Sequence, residues 1–420
     1  MSNLIYPTLD LFLYDLKEAL NSTGEAITKN QEIFTKKLPS DVNLDDPDKE
    51  VEYLELLPQD RFKHFKTDKL QGYYYPVRLN DTYGLQIDCS INNQTDPQSV
   101  NYFSNLKAEI ESRLNQQPIT LGQAWILSGW LPENSPQNPE AIAKDCYKTF
   151  SKDADWQRDF QGKGKFFGGN IFYILFGKTP VLILIYPQQN AQKVADIYPD
   201  WMGLFCYYSK INWSYDQSRF IKKSILDYYQ KLEGDRQKIT KYEPPKVGYQ
   251  LNDYKQSLER LQQEIKQYSV DLLGMSFQKQ VIEINLSNYE TRLEFIQKKL
   301  DANSQIDFFQ KFTDLVTKKY IVQIDKDSEN MQIGLRLLED NINAVRGGIE
   351  LAKAERDRNF QEFVAVVGAG VAGVSFAPAD KNCVPIFGQA SLFCKTPVLF
   401  SLLVFVIAAG LTWLIRRKWK

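Results

Sequence analysis

From Leu251 onward, apolar residues recur in strict 3-4 alternation: Tyr254, Leu258, Leu261, Ile265, Tyr268, Leu272, Met275, then Lys279, then Ile282, Leu286, Tyr289, Leu293, Ile296 and Leu300. Fifteen successive seam positions hold one polar residue. Seven such heptads specify a coiled-coil helix that buries one stripe against partner helices. At 1.5 Å per residue it would be about 75 Å long. Residues 301–305, DANSQ, form the natural hairpin turn. A second helix follows, weak over Ile306, Phe309, Val316 and Tyr320, then regular at Met331, Leu335, Leu338, Ile342, Val345, Ile349 and Ala352. Lys279 on the first seam reads either as a register device or as a local defect. Residues 325–330, DKDSEN, interrupt the second seam. Their acids suit a solvated face or a divalent cation, but the glycine and closing glutamate of an EF-hand loop are missing.

Composition narrows the function. The net charge of −1 gives no electrostatic footprint for nucleic acid. The 23 Tyr and 25 Phe point to packed structure rather than disorder. A single histidine, His64 in RFKHFK, argues against a histidine-based metal centre or triad and reads as a surface residue. The five cysteines contain no C-x-x-C, so a structural zinc site lacks its ligand spacing. Cys89, Cys146 and Cys206 sit among apolar residues and read as buried thiols.

Residues 1–245 read as one cytoplasmic α/β domain. MSNLIYPTLDLFLYDLKEAL looks like an acidic amphipathic helix over 8–20, not a signal peptide. Two aromatic and branched runs around Asn80-Asp81 predict a β-hairpin. Helices are expected over 98–115 and 138–151, with a strand over 120–131. Gly177-Lys178-Thr179 resembles part of a P-loop, but Phe172 stands where its first glycine belongs, and strands flank it on both sides. It reads as a hairpin turn. The continuous run Pro180–Ile185 predicts a strand covered on both faces. In 195–240, Trp201, Phe205, Tyr208, Phe220 and Tyr228 recur at a spacing that suits packing better than base stacking. No nucleophile, paired acid and base, or metal cluster is legible there, so the chain reads as a non-enzyme with no cofactor beyond a divalent cation, transported or regulatory.

The C-terminal third is different. Gly368-Ala369-Gly370-Val371-Ala372-Gly373 matches G-x-G-x-x-G, but its neighbours deny it the strand, the helix and the βαβ unit that a dinucleotide site requires. The small residues Ala365, Gly368, Ala369 and Ala372 instead suit close helix packing in lipid. Residues 396–415 carry no charge and are long enough to cross a bilayer. They end at Trp413 and the basic tail RRKWK. The expected division is a stalk over 246–361, a first transmembrane helix over 362–378, an outer loop over 379–395, a second transmembrane helix over 396–415 and a basic tail over 416–420. Charge bias places both termini in the cytoplasm and the protein in the inner (plasma) membrane as a multi-pass chain. Cys383 and Cys394 then face outward, where a disulfide between them is predicted against two free thiols.

This order resembles the CorA-type divalent-cation channel superfamily: α/β domain, long helix running into a first membrane helix, short loop, second membrane helix, basic end. The family closes its first membrane helix with G-M-N-F. Gly373-Val374-Ser375-Phe376 stands in the corresponding place, with Ser375 where the family presents an ion-facing amide. The resemblance implies a pentameric pore lined by the first membrane helix and gated from the cytoplasm, without the magnesium-selective asparagine. The fold expected is therefore an α+β membrane protein, and the function a homo-oligomeric cation channel. The alternative is a non-conducting membrane-anchored signalling, effector or scaffold protein that oligomerises through its coiled coil.

Overall fold

A computed structural model describes residues 2–19, 22–47, 51–131, 135–240 and 250–353. They divide into two compact units. The first comprises 1–219 with 276–325, and the second 220–275 with the chain from 326 onward.

The first unit is α+β and is built on a ten-stranded mixed sheet. In chain order its strands are β1 (Asn3–Leu16), β2 (Leu54–Glu55), β3 (Lys63–Lys66), β4 (Leu70–Leu79), β5 (Thr82–Ile91), β6 (Pro97–Ser99), β7 (Gly122–Trp130), β8 (Phe160–Phe166), β9 (Gly169–Phe176) and β10 (Thr179–Tyr186). Their spatial order is β2-β4-β5-β1-β7-β10-β9-β8, with β3 on β4 and β6 on β1. All pairs are antiparallel except β7 with β10. Asn80 at the β4–β5 turn and Gly177 at the β9–β10 turn have positive φ, as tight hairpins require.

Helices α1 (Gly24–Thr35), α2 (Tyr102–Arg113) and α3 (Pro139–Phe150) cover one face of the sheet, where Phe34, Leu106 and Ile142 meet Leu9, Leu11 and Leu13. A short α4 (Trp156–Asp159) precedes β8, and α5 (Ala191–Ala195) precedes α6 (Tyr198–Thr240). The start of α6 covers the opposite face. Phe12 lies 5.9 Å from Phe205, and the Tyr14 hydroxyl donates to the Met202 carbonyl.

The sequence expectation over 8–20 is corrected: this segment is β1, the central strand. Leu9, Phe12, Leu13 and Leu16 mimic a helical stripe because a strand sandwiched between layers carries apolar residues on both faces. The hairpins, α2, α3, β7 and the doubly covered β10 fall where the patterns place them.

Helix α7 (Gln250–Lys299) carries the long seam. Its described seam positions Leu258, Leu261, Ile265, Tyr268, Leu272, Met275, Ile282, Leu286, Tyr289, Leu293 and Ile296 are all buried. A 3-10 turn, α8 (Gln310–Leu315), a π-helical turn at Val316–Ile321 and α9 (Val322–Lys353) follow. Within the first unit α6 runs parallel to α8 and the π-helical turn, with Tyr208 4.3 Å from Phe312 and Tyr215 stacked on Tyr320 at 3.8 Å, and α7 opposes them. Gly164 permits β8 to press against the turn after α7, since a Cβ there would lie 1.8 Å from the Gln305 carbonyl oxygen.

In the second unit the partners are again side chains of three helices. Lys222 pairs with Asp327 at 2.8 Å, Ile221 lies against Gly274, and Tyr229 and Tyr268 both approach Gly334. The Tyr268 hydroxyl donates to the Met331 carbonyl at 2.7 Å.

The expectation of an α+β membrane protein, multi-pass in the inner membrane, is corrected. Among the described residues no helix is long and apolar enough to cross a membrane. The long helices α6, α7 and α9 carry charged residues throughout, which breaks any apolar window of that length. The transmembrane helices and the ion transport expected with them lose their structural basis as well. Segments 362–378, 379–395, 396–415 and 416–420 lie outside the described residues.

Candidate functional site

The most unusual chemistry in the described residues lies on the α6-facing side of the sheet. Period-two alternation along β1 sends Leu9, Leu11 and Leu13 to one layer and Thr8, Asp10 and Phe12 to the other. Asp10 is therefore delivered to the interior, where it is 0% exposed. On β5 the same alternation presents Gln86, Asp88 and Ser90. The register sets Asp10 directly opposite Asp88, a spacing of about 5 Å between Cβ atoms.

Two carboxyl groups thus share one interior position. Gln86 Nε2 donates to Asp10 Oδ1 at 2.9 Å, and the Tyr198 hydroxyl donates to Oδ2 at 2.8 Å. The Asp88 side chain faces Asp10 across the strand pair, and each carboxyl acts on the other. Burial pushes Asp10 up to about 6, against the bonds from Gln86 and Tyr198 that hold it down. Burial pushes Asp88 up further, and the neighbouring Asp10 charge adds to it. Asp88 retains some solvent exposure, yet enough protein surrounds its carboxyl for burial to dominate. Asp10 accepts from Gln86 and Tyr198 and faces Asp88, whose neutral form burial favours.

Tyrosines line the rest. Gln86 Nε2 also donates to the Tyr73 hydroxyl at 3.0 Å, and Tyr6 Oη accepts from Gln71 and Ser90. Tyr6 has a φ of 51° and lies in the register shift between Ile5 and Thr8 on β1. A bulge of this kind re-aims a side chain at a backbone cost. His64 is exposed at the rim, its ring 6.0 Å from Tyr73. Each Asp10 oxygen already accepts a hydrogen bond and the side chain has no exposed surface, so it is out of reach of a substrate from solvent. The pair lies between β1, β5 and the first residue of α6.

Other charged groups in the first unit are paired for structure. Lys37 and Asp15 form a fully buried ion pair, and Asp15 also accepts from the Thr120 amide at 2.9 Å. Asp46 accepts from Arg78 and from the Tyr83 hydroxyl. Asp159, held by Arg158 and Tyr147, is pushed down to about 2. A groove of about 1080 Å³ opens between α1 and α2 over Tyr74, bordered by Gln31, Lys36, Glu109, Arg113 and Asn115. Its acids and bases balance, and Arg113 is already held by Glu109 and stacked 3.6 Å over Phe65.

The helical positions singled out in the sequence divide clearly. Lys279, the polar seam residue, bridges Asp325 at 2.8 Å and Glu283 at 3.5 Å. Of the 325–330 acids, Asp325 meets Lys279, Asp327 meets Lys222 and Glu329 meets Lys326, so lysines stand where a cation would be needed. Among the described residues no group of three or more His, Cys, Asp or Glu is placed to hold a metal ion. Trp201, Phe205 and Tyr208 are buried as packing predicts, but Phe220 is 68% exposed. Cys89, Cys146 and Cys206 are buried free thiols. Gly373, Val374, Ser375, Phe376, Ala365, Gly368, Ala369, Ala372, Cys383 and Cys394 lie outside the described residues.

Phe220 belongs to a set in the second unit. Leu226 on α6, Val270 and Leu273 on α7, and Ile333 and Leu337 on α9 are also exposed, Ile333 to 57%. The contacts of Ile221 with Gly274, and of Tyr229 and Tyr268 with Gly334, put all six within a few turns of one level. Each helix therefore buries a seam and also presents outward apolar residues at that level.

No family model matches the chain, and no curated protein or solved structure matches it. Membership of the CorA-type family is therefore not shown.

Proposed function

We propose that this chain is a non-enzymatic interaction protein, a scaffold or effector that assembles with further copies of itself through its long helices. The observation that carries the reading is the outward apolar set of the second unit, present on α6, α7 and α9 at one level. A three-helix unit that already buries its seams has no internal use for Phe220, Ile333 or Leu337. Clustered outward apolar residues on a soluble surface mark contact with another chain. Heptad-patterned helices associate with like helices in register, which makes a second copy the natural occupant. The enclosure of Asp10 away from solvent and the lysine-paired 325–330 acids support a binding role over hydrolytic or metal chemistry.

Sedimentation equilibrium of the full chain tests this. The expected result is a species larger than a monomer, with Ile333→Lys combined with Leu337→Lys shifting it towards monomer. A wild-type chain that stays monomeric across a hundredfold concentration range contradicts the reading.

A further inference from the structure

We propose that Asp10 and Asp88 act as a proton-operated clasp: while they share a proton they tie β1 and β5 to the first turn of α6, and release of that proton as the pH rises loosens this seam. The inference rests on the first unit alone and does not require the helices to associate.

Geometry carries it. The two carboxyl groups face each other across an antiparallel pair, with Asp10 fully buried. Like charges so placed cannot both ionise without separating. The groups facing them are hydroxyls and an amide: Tyr6 on β1, Tyr73 on β4, Gln86 and Ser90 on β5, Tyr186 on β10 and Tyr198 on α6, with the Cys89 thiol on the other face of β5. No cation is among the groups that act on either carboxyl. A proton is then what keeps the pair compatible with burial. Tyr73 and Tyr198 are pushed well above their usual range, and Tyr186 and Cys89 up to about 12, so these four stay neutral between pH 5 and 8. The titration in that window belongs to the two aspartates.

The sign follows from linkage. Both carboxyls hold their protons more tightly in the closed seam than in an opened one, where an aspartate titrates near its ordinary value of about 3.9. Opening releases a proton, so acid tightens the clasp. The opening constant rises with pH, by up to about tenfold per pH unit for each proton released. The rise begins above about pH 4, passes the Asp10 value of about 6 and continues towards the higher value of Asp88.

Hydrogen–deuterium exchange of the full chain from pH 5 to 8, corrected for intrinsic rates, measures that slope. Peptides covering β1, β5 and 198–205 report the seam, and β9–β10 peptides serve as the internal reference. The expected result is a seam opening constant that climbs by up to about tenfold per pH unit relative to the reference. Asp88→Asn, which replaces the shared proton by a permanent amide, flattens the slope. His64→Gln, which removes the histidine at the rim, leaves it unchanged. Equal slopes at seam and reference, or a full slope retained in Asp88→Asn, overturn the proposal. If Asp88→Asn fails to fold, the wild-type side-chain carboxyl 13C shifts decide. One aspartate inflecting near pH 6 with a second above it supports the clasp, and two ordinary titrations near pH 4 overturn it. The seam slope is independent of protein concentration, so a failure of helix association leaves this test intact.

Discussion

The two units differ in how they arrange buried charge and exposed apolar surface. The sheet unit encloses apolar residues on both faces of β1 and β10 and also draws charge inside, at Lys37–Asp15, Arg78–Asp46 and Asp10–Asp88. Each of those charges has a partner. The second unit places its paired charges along the helix sides, Asp327 alone of the described ones buried, and sets six large apolar residues outside at one level, where the first unit's exposed Tyr53, Ile284, Phe295, Leu315 and Val322 are spread along the chain. The difference shows where each region is complete. A sheet covered on both faces has satisfied its apolar surface within one chain. Heptad helices with apolar residues beyond their seams have surface left for another chain.

The largest effect is expected where the sheet unit depends on enclosed charge. Lys37→Ala leaves Asp15 buried without its partner and should cost about 3–5 kcal/mol. Urea denaturation of the full chain, followed by near-ultraviolet circular dichroism, measures it. Lys279→Ala removes a partly exposed pair and should cost under about 1 kcal/mol. Near-equal losses for the two would erase the contrast between enclosed and flanking charge.

Seam truncation comes next. Ile282→Ala removes a fully buried seam residue and should cost about 2–4 kcal/mol. Thermal unfolding of α7 followed at 222 nm tests it. A loss below about 1 kcal/mol would mean that this seam does not hold the helices together.

Asp88→Asn works in the other direction. Asp10 and Asp88 both have raised folded-state values, so their contribution is fully present below the unfolded value and is lost as pH rises towards the folded one. The asparagine variant should therefore be more stable than wild type at pH 7, by about 1 kcal/mol or more, with the gain vanishing near pH 4. Melting curves at the two pH values decide it. A variant less stable at pH 7 would show that the carboxyl pairing outweighs its ionisation cost.

The smallest change in stability is expected at Ile333→Lys, within about 0.5 kcal/mol because the side chain already faces outward. Its effect should appear in assembly instead. A large stability loss without loss of assembly would place Ile333 in a core.

Much of this architecture is legible in residue order. The α7 seam, the Asn80-Asp81 and Gly177-Lys178 hairpins and the buried run of β10 follow from periodicity and turn chemistry. The central strand β1 was hidden because burial on both faces imitates a helical stripe. Losing β1 concealed the carboxyl pair, since Asp10 and Asp88 are 78 positions apart and meet only through strand register. One signal was present: Asp10 interrupts the apolar run from Leu9 to Tyr14, where an acid inside a covered strand must find a partner. Phe220 fell among rings that otherwise pack, and periodicity alone cannot say which face of a shared helix lacks a neighbour.

The contrast between a sheet covered on both faces and the outward apolar level of the second unit is tested most directly by hydrogen exchange as a function of protein concentration. Raising the concentration from micromolar to hundreds of micromolar should slow exchange across 220–231, 258–275 and 326–340, while β1, β5, β7 and β10 keep their rates. Helical segments whose exchange does not change with concentration would contradict the account.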